Sequence, residues 1–168
     1  SYLSTEWNKN GIEISEFASH HAGKYGNIHN GTLNDYSFDG DKFDIIIMYH
    51  VIEHLVAPIE ALKKIKDMLS PNGVFILGTP DFDSGAARRW GGQFRMLHDP
   101  THISLFSSDS IHRCLRDLGF KIKKVEYPYF DTPWFTKDNL MRVFDKDCIS
   151  PPFYGSIMTL FCKHSVVK

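Results

Sequence analysis

The succession of an apolar strand, an amphipathic helix and a second apolar strand constrains the fold of this chain most strongly. Residues 43–49 and 74–78 are apolar on both faces, which is typical of strands in the interior of a parallel sheet. Residues 58–69 place apolar side chains at helical spacing, with lysines on the opposite face. Since parallel neighbours require such a crossover helix, the sequence predicts an α/β fold.

The same alternation of strands and helices extends to both sides of this unit. Ser15 is an N-cap candidate for one helix, and Ser107 caps another that Gly119 closes. The other predicted elements are strands at 11–15, 27–33, 121–129 and 156–164, and helices at 16–25, 108–118 and 137–146. The last helix is short for a parallel crossover, so one of the last two strands can be antiparallel. Residues 82–106 are predicted to be irregular.

Composition bounds the class of protein. The 168 residues fit one domain, and 42% hydrophobic residues exclude a disordered chain. Nineteen basic and 20 acidic side chains give a net charge of −1, which argues against a nucleic-acid partner. No apolar run approaches the roughly 18 residues of a membrane span. Three widely spaced cysteines, Cys114, Cys148 and Cys162, predict free thiols in a reducing compartment and thus a cytoplasmic location.

The carboxyl ends of the predicted strands are where a ligand is expected, because open α/β sheets bind ligands at that edge. Distinctive motifs lie at and between these ends in a fixed order. They are Gly11-Ile12-Glu13-Ile14-Ser15, Gly31-Thr32-Leu33, Phe43-Asp44-Ile45-Ile46, His50-Val51-Ile52-Glu53-His54-Leu55, Leu69-Ser70-Pro71-Asn72-Gly73, Gly78-Thr79-Pro80-Asp81, His102 ahead of Phe106-Ser107, and Leu118-Gly119-Phe120.

In this ordered series, residues 3 to about 130 resemble the class I S-adenosylmethionine-dependent methyltransferases, especially the small-molecule branch with a Val-x-Glu-His-Leu motif. The resemblance implies a Rossmann-like, doubly wound and mostly parallel sheet. It also implies S-adenosylmethionine as cofactor and methyl transfer to an oxygen, nitrogen or carbon atom of a small-molecule acceptor. Residues 1–168 then form one methyltransferase-like domain, in which 82–106 is the variable segment that covers the substrate.

One departure from the family lies at the start of the chain. The family begins with a strand and a Gly-x-Gly turn around the cofactor, whereas residues 2–7 here resemble the end of the helix that follows that turn. We therefore expect a fragment that lacks the first strand, whose place would be between the strands at Ile12 and Ile45. Because its neighbours would be left with unpaired backbone groups, we expect poor cofactor binding by this fragment.

Glu13, Ile14, Thr32 and Leu33 lie at the first two strand ends, and the resemblance assigns them to the nucleoside of the cofactor. The Glu13 carboxylate matches the two hydroxyls of a ribose, and Thr32 with the Leu33 N–H suits the adenine. The alternatives are an exposed acid favoured by a helix N-terminus and an ordinary strand end.

Tyr49 and His50 follow the central strand, where the resemblance places the sulfonium of the cofactor. An aromatic face suits that cation, although core packing of Tyr49 is an equally good interpretation.

His50, Glu53 and His54 share one face of a helical turn, and His102 can meet them from the variable segment. Some relatives hold a metal with a Glu-x-x-Glu-His motif and a distant His. Here His50 replaces the first Glu, so we predict no metal and keep these four residues as the alternative ligand set. His102 or His54 is instead the candidate general base, and a purely structural role is the remaining alternative.

Arg88, Arg89 and Trp90 lie in the segment that covers the substrate in relatives. Two guanidinium groups can clamp a phosphate or carboxylate, and an indole can stack on a ring. The alternative is a solvated basic loop. Gly91 and Gly92 would let the segment close like a lid.

Two rival functions stay open at this stage. One is a non-catalytic binding module or partner subunit that keeps the fold, because the Gly-rich turn is missing. The other is a nicotinamide-dependent oxidoreductase, which also places an acidic residue on a ribose. The partner expected from the main hypothesis is a small-molecule acceptor, with no nucleic acid, no membrane and an open oligomeric state.

Overall fold

The computed structural model describes residues 4, 6–37, 40, 42–129, 131–145, 147–152 and 155–165. The chain divides into two compact units, Ser1–Asp41 and Lys42–Lys168. The predicted end of a helix at residues 2–7 lies partly outside the described residues, because residues 2, 3 and 5 are not among them. Within the described residues, every helix is too short or too polar to cross a membrane.

The first unit is a small parallel strand–helix–strand motif. Strand β1 (Asn10–Glu13) pairs in parallel with β2 (Asn27–Asn30), and helix α1 (Glu16–Ala22) connects them. Ser15 caps α1 as predicted, because its hydroxyl accepts a hydrogen bond from the Ala18 N–H at 3.3 Å.

The predicted end of α1 near Gly26 is wrong, since the helix ends at Ala22. Gly26 serves a different purpose, because a Cβ there would lie 2.6 Å from the Lys9 carbonyl oxygen. The glycine therefore marks a close approach of two backbone segments and not a helix stop.

The second unit contains a four-stranded sheet in the order β3-β4-β6-β5. Its strands are β3 (Phe43–Tyr49), β4 (Leu69–Pro80), β5 (Phe120–Glu126) and β6 (Ile157–His164). Strands β3 and β4 are parallel, and β6 runs antiparallel to both of its neighbours. Three strands therefore share one direction. The α/β fold, the mostly parallel sheet and the single antiparallel strand are confirmed.

The described part of the second unit contains the helices α2 (Pro58–Met68), α3 (Gly85–Trp90), α4 (Ser108–Asp117) and α5 (Lys137–Met141), of which the first three contribute buried side chains. Fully buried side chains come from α2, β4, α4 and β6, and include Leu62, Phe75, Leu77, Ile111, Leu115 and Leu160. Each such side chain stabilises the fold by about 2 kcal/mol through removal from water. Ile59, in the first turn of α2, is 37% exposed.

Two boundaries differ from the sequence prediction for physical reasons. Strand β4 begins at Leu69, five residues before the predicted start, because Leu69 already pairs with Phe43 of β3. The segment 82–106, predicted to be irregular, contains α3 and short 3₁₀ turns at Gly91–Gln93 and Arg95–His98. A helix of six residues is too short to show a clear apolar period.

The three cysteines are free thiols, as predicted. Cys162 on β6 is fully buried, and burial raises the pKa of its thiol to about 12. The thiol is therefore neutral at physiological pH and acts as a small apolar side chain in the core.

Candidate functional site

The ends of β1 and β2 are bound to each other in the first unit. The Asn30 side-chain amide donates to the Glu13 carbonyl oxygen at 2.9 Å, and the Gly31 N–H donates to the same oxygen at 3.1 Å. The Glu13 carboxylate is half-buried, and its Oε1 accepts from the Ser15 N–H at 2.8 Å. This bond fixes the carboxylate at the strand end, where the family resemblance implies the ribose.

Thr32 follows β2 and closes a small turn with Asp35. Its hydroxyl donates to Asp35 Oδ2 at 2.6 Å, and its N–H donates to the same oxygen at 3.2 Å. Thr32 and Ile14 are exposed, whereas Leu33 is half-buried. The Asp35 carboxylate therefore lies beside the predicted adenine contact. The sequence alone does not indicate a role for Asp35.

In the second unit, Tyr49 lies across the neighbouring strand. Tyr49 pairs with Gly78 of β4, which in turn pairs with Thr159 of β6. A Cβ at Gly78 would lie 2.2 Å from the Tyr49 ring, so only a glycine allows the ring to lie there. The phenol oxygen is 3.2 Å from Thr159 Oγ1, and 44% of the residue stays exposed.

His50 adopts an unusual backbone conformation directly after β3. Its φ is 53°, a left-handed value that costs free energy for a residue with a Cβ. Its N–H donates to the Gly78 carbonyl oxygen at 2.9 Å, and its Nδ1 lies 3.1 Å from Glu53 Oε1. The backbone therefore turns at His50 so that the ring meets a carboxylate three residues later.

Glu53 lies in the 3₁₀ turn Ile52–His54 and is fully buried. Its Oε2 accepts from the Thr79 hydroxyl at 3.0 Å, and its backbone oxygen accepts from the N–H groups of Ile103 and Ser104, both at 2.9 Å. Burial raises the pKa of Glu53, but the hydrogen bonds from His50, its own backbone and Thr79 outweigh burial and hold the pKa below 4.5.

A buried, ionised carboxylate fixes the tautomer of the histidine beside it. Because Glu53 can only accept, the Nδ1 of His50 carries the proton and the lone pair of the neutral ring lies on Nε2. The His50 side chain is 39% exposed, so this nitrogen is accessible to a bound molecule.

His54 and His102 are brought together as the sequence predicts. Their ring centroids are 4.8 Å apart. Nδ1 of His54 lies 3.1 Å from the Thr101 carbonyl oxygen, and Nδ1 of His102 lies 2.6 Å from that of Met96. Both rings therefore donate through Nδ1, which leaves the lone pair of each neutral ring on Nε2, and Nε2 of His102 lies 3.8 Å from Asp99 Oδ2. The side chain of His102 is only 7% exposed.

Comparison with known proteins assigns the chain to a family. The family described as "Methyltransferase domain" matches residues 4–125. The chain belongs to this methyltransferase family. Class I members of this family transfer a methyl group from S-adenosylmethionine. A search of curated proteins gives no match.

Solved structures share the Rossmann-like fold of this methyltransferase. A Thermotoga maritima SAM-dependent methyltransferase, described as a possible histamine N-methyltransferase, has 22% identity and a TM-score of 0.66, covering 92% of this chain and 72% of that one. An Archaeoglobus fulgidus SAM-dependent methyltransferase has 17% identity and a TM-score of 0.63, covering 92% and 75%. The plantazolicin methyltransferase BpumL, solved with S-adenosylhomocysteine, has 17% identity and a TM-score of 0.64, covering 94% and 67%.

The candidate metal ligands of the methyltransferase do not have the geometry of a metal site. Atoms of Glu53, His54 and His102 lie within 4.8 Å of one another, a looser set than the roughly 3.4 Å between donors on a tetrahedral zinc. Both oxygens of Glu53 are already hydrogen-bonded, to His50 and Thr79. The donor set therefore does not fit a metal as it stands.

The predicted acceptor-binding residues Arg88, Arg89 and Trp90 lie on α3 and are engaged within the chain. Arg88 donates to both oxygens of Asp83, at 2.9 and 2.6 Å, which lowers the pKa of Asp83. Arg89 donates to the Val143 carbonyl oxygen, and Trp90 is 5% exposed. Their role toward an acceptor stays a prediction, and an acceptor group would have to displace these contacts.

Proposed function

We propose that this methyltransferase transfers a methyl group from S-adenosylmethionine to a small-molecule acceptor. The observation that carries the proposal is the Tyr49 ring held across Gly78 at the carboxyl end of β3, the position where the family resemblance places the sulfonium. An exposed aromatic face attracts a sulfonium cation. The family match favours methyl transfer over the nicotinamide-dependent alternative.

For each residue of the donor set we propose the role that the family resemblance implies. Glu13, fixed by the Ser15 N–H, would bind the ribose hydroxyls beside Ile14. Thr32 and Leu33 would bind the adenine. Tyr49 and His50 would contact the sulfonium region. The bound donor supplies an electrophilic methyl group, which the acceptor attacks in line.

The protein's own contribution to the chemistry is to position the acceptor and to remove its proton. We propose His54 or His102 as the proton acceptor, since their Nδ1 atoms are held by the carbonyl oxygens of Thr101 and Met96 and Nε2 is basic. In this proposal, Glu53 positions the His50 ring and does not contact the acceptor.

The test of the proposed function is calorimetric titration of S-adenosylhomocysteine into the protein in the full length that its gene encodes. We expect saturable binding of one molecule per chain. A titration that shows no saturable binding of S-adenosylhomocysteine would contradict the proposal.

The network around Glu53 predicts a specific dependence of stability on pH. Its pKa is lowered below 4.5 in the fold, so the ionised form stabilises the protein above that pH, and the contribution is lost as the pH falls through the lowered pKa. We expect Glu53→Gln to reduce the free energy of unfolding by about 2 kcal/mol at pH 7, and by progressively less below pH 4.5. Denaturant unfolding at several pH values measures this difference.

The matched control for Glu53→Gln is Glu60→Gln. Glu60 lies on the exposed face of α2, where its carboxylate pairs with Lys63 at 2.9 Å. Exposed pairs contribute little, so we expect a loss below about 0.5 kcal/mol at every pH. A Glu53→Gln penalty that stays constant from pH 7 to pH 3.5 would show that the charge of Glu53 does not stabilise the fold.

Methyl transfer by this protein is expected to need no metal. Because Glu53 is saturated with hydrogen bonds, we expect elemental analysis of the purified protein to show less than a stoichiometric amount of zinc, manganese, iron and nickel. Donor binding and turnover should survive a chelator. One tightly bound ion per chain, with activity lost on chelation and restored by that ion, would contradict this expectation.

A further inference from the structure

A recess lies beside Tyr49 at the carboxyl end of β3. Its volume is about 560 Å³, which is in the range of small-molecule sites. Three tyrosines and two acidic residues line it, namely Tyr49, Tyr127, Tyr129, Glu126 and Asp131. We call it the tyrosine cavity.

The sheet register builds one wall of the tyrosine cavity. Tyr49, Gly78, Thr159 and Glu126 are paired in turn across the four strands, so they form one row at this edge. Because Gly78 has no side chain, the Tyr49 ring reaches Thr159 over it. The row thus ends in an aromatic ring on one side and a carboxylate on the other.

The chain that follows β5 supplies the opposite wall. The Tyr127 hydroxyl is 2.9 Å from Ser108 Oγ at the start of α4, which holds that ring in place. Tyr129 lies against Gly155, where a Cβ would be 2.4 Å from the ring. Both rings are therefore positioned by contacts within the second unit.

The charges of the tyrosine cavity favour a cation. Glu126 pairs with Lys124, and Asp131 is exposed and has no ion pair among the residues that the structure describes. No lysine or arginine of the described part of the chain lines the cavity. Aromatic faces and a free carboxylate together bind organic ammonium groups, by cation–π attraction and by charge.

We propose that the tyrosine cavity binds an organic ammonium group of the methyl acceptor. The inference rests on the proposed function, since Tyr49 belongs both to this cavity and to the proposed donor set. The cavity binds the ammonium group without forming or breaking a covalent bond. This binding does not determine which atom of the acceptor receives the methyl group. Asp131 supplies the charge, and Tyr127 and Tyr129 supply the ring faces.

The test compares charged probes with neutral molecules of the same shape. Phenethylamine is paired with 2-phenylethanol, and choline with 3,3-dimethylbutan-1-ol. Each is titrated into the full-length ¹⁵N-labelled protein, with and without S-adenosylhomocysteine, and amide shifts around residues 127–131 are followed. We expect at least one ammonium probe to bind about tenfold more tightly than its neutral partner.

Variants separate the contribution of charge from that of the rings. We expect Asp131→Asn and Tyr129→Leu each to weaken ammonium binding about fivefold, and Tyr129→Phe, which keeps the ring face, to bind like the parent. The control is Asp117→Asn, an exposed acid at the last residue of α4, at the opposite end of that helix from Ser108, which contacts Tyr127. Neutral probes should be unaffected by Asp131→Asn.

Each outcome bears on one proposal. Neutral and charged probes that bind equally, probes that do not bind at all, or an Asp117→Asn effect equal to that of Asp131→Asn would overturn the ammonium site. Calorimetric titration of S-adenosylhomocysteine into the same samples reports separately on the donor. Donor binding without ammonium preference overturns the cavity proposal alone, whereas ammonium preference without donor binding overturns the proposed function.

Discussion

Replacing Gly78 with Ala is expected to destabilise the protein by about 2 kcal/mol, although alanine is normally the better residue in a strand. The new methyl group would lie 2.2 Å from the Tyr49 ring. The ring must then leave its position over β4 and lose its contact with Thr159 Oγ1. Denaturant unfolding of the variant and the parent measures the loss.

A double-mutant cycle shows whether the Tyr49 ring is the cause. In a Tyr49→Ala background no ring opposes the methyl group, so we expect Gly78→Ala to cost less than about 0.5 kcal/mol there. An equal penalty in both backgrounds would mean that the strand itself rejects the side chain at position 78.

The same Gly78→Ala variant also tests the sulfonium contact. S-adenosylmethionine carries a positive sulfonium, whereas S-adenosylhomocysteine is a neutral thioether of nearly the same shape. If Tyr49 contacts that charge, a displaced ring weakens binding of S-adenosylmethionine about tenfold more than that of S-adenosylhomocysteine. Equal losses for both ligands would remove Tyr49 from the sulfonium region.

The central elements could be predicted because their signals are local. Strand β3 was placed at its observed bounds, since residues apolar on both faces have few alternatives to a buried parallel strand. The start of α4 was placed from Ser107 alone, and the structure shows a capping box in which Ser107 and Ser110 bond reciprocally. Caps and apolar periods depend on residues within one or two turns.

The arrangement of Tyr49 could not be predicted because it depends on register. Tyr49 and Thr159 are 110 residues apart in sequence, and their hydrogen bond follows from the pairing of β3, β4 and β6. Gly78 gave no signal of its own, since a glycine at a strand end usually indicates a turn. Only the three-dimensional register shows that its missing side chain is needed.

Burial explains the other differences between sequence and structure. Arg88, Arg89 and Trp90 have the chemistry of a binding segment, but the structure uses Trp90 as a core residue packed with Ala86 and Phe94. Glu53 belongs to the alternative metal-ligand set of the sequence analysis, yet its two oxygens are hydrogen-bonded to His50 and Thr79. Residue type indicates what a side chain can do, and the partners fixed by the fold decide which of those roles is left.

Replacing Glu13 with Ala is expected to weaken S-adenosylhomocysteine binding about 100-fold, which corresponds to two hydrogen bonds from ribose hydroxyls to a carboxylate. Glu13→Gln keeps the length of the side chain and one carbonyl oxygen that accepts hydrogen bonds, so we expect the affinity to fall about tenfold. Calorimetric titration of the full-length protein measures all three affinities. Glu16→Ala, which removes an acid in the first turn of α1, is the control for a general change of charge.

A ligand without the ribose 2′-hydroxyl separates a direct contact of Glu13 from an effect on folding. The parent should bind the 2′-deoxy analogue of S-adenosylhomocysteine about tenfold more weakly than the natural ligand, because one hydrogen bond is lost. In Glu13→Ala that bond is already absent, so the two ligands should bind equally. Since Glu13 also accepts from the Ser15 N–H at 2.8 Å, a purely structural role would weaken both ligands by the same factor and preserve their ratio. A preserved ratio would therefore remove Glu13 from the ribose site even if the affinity itself falls.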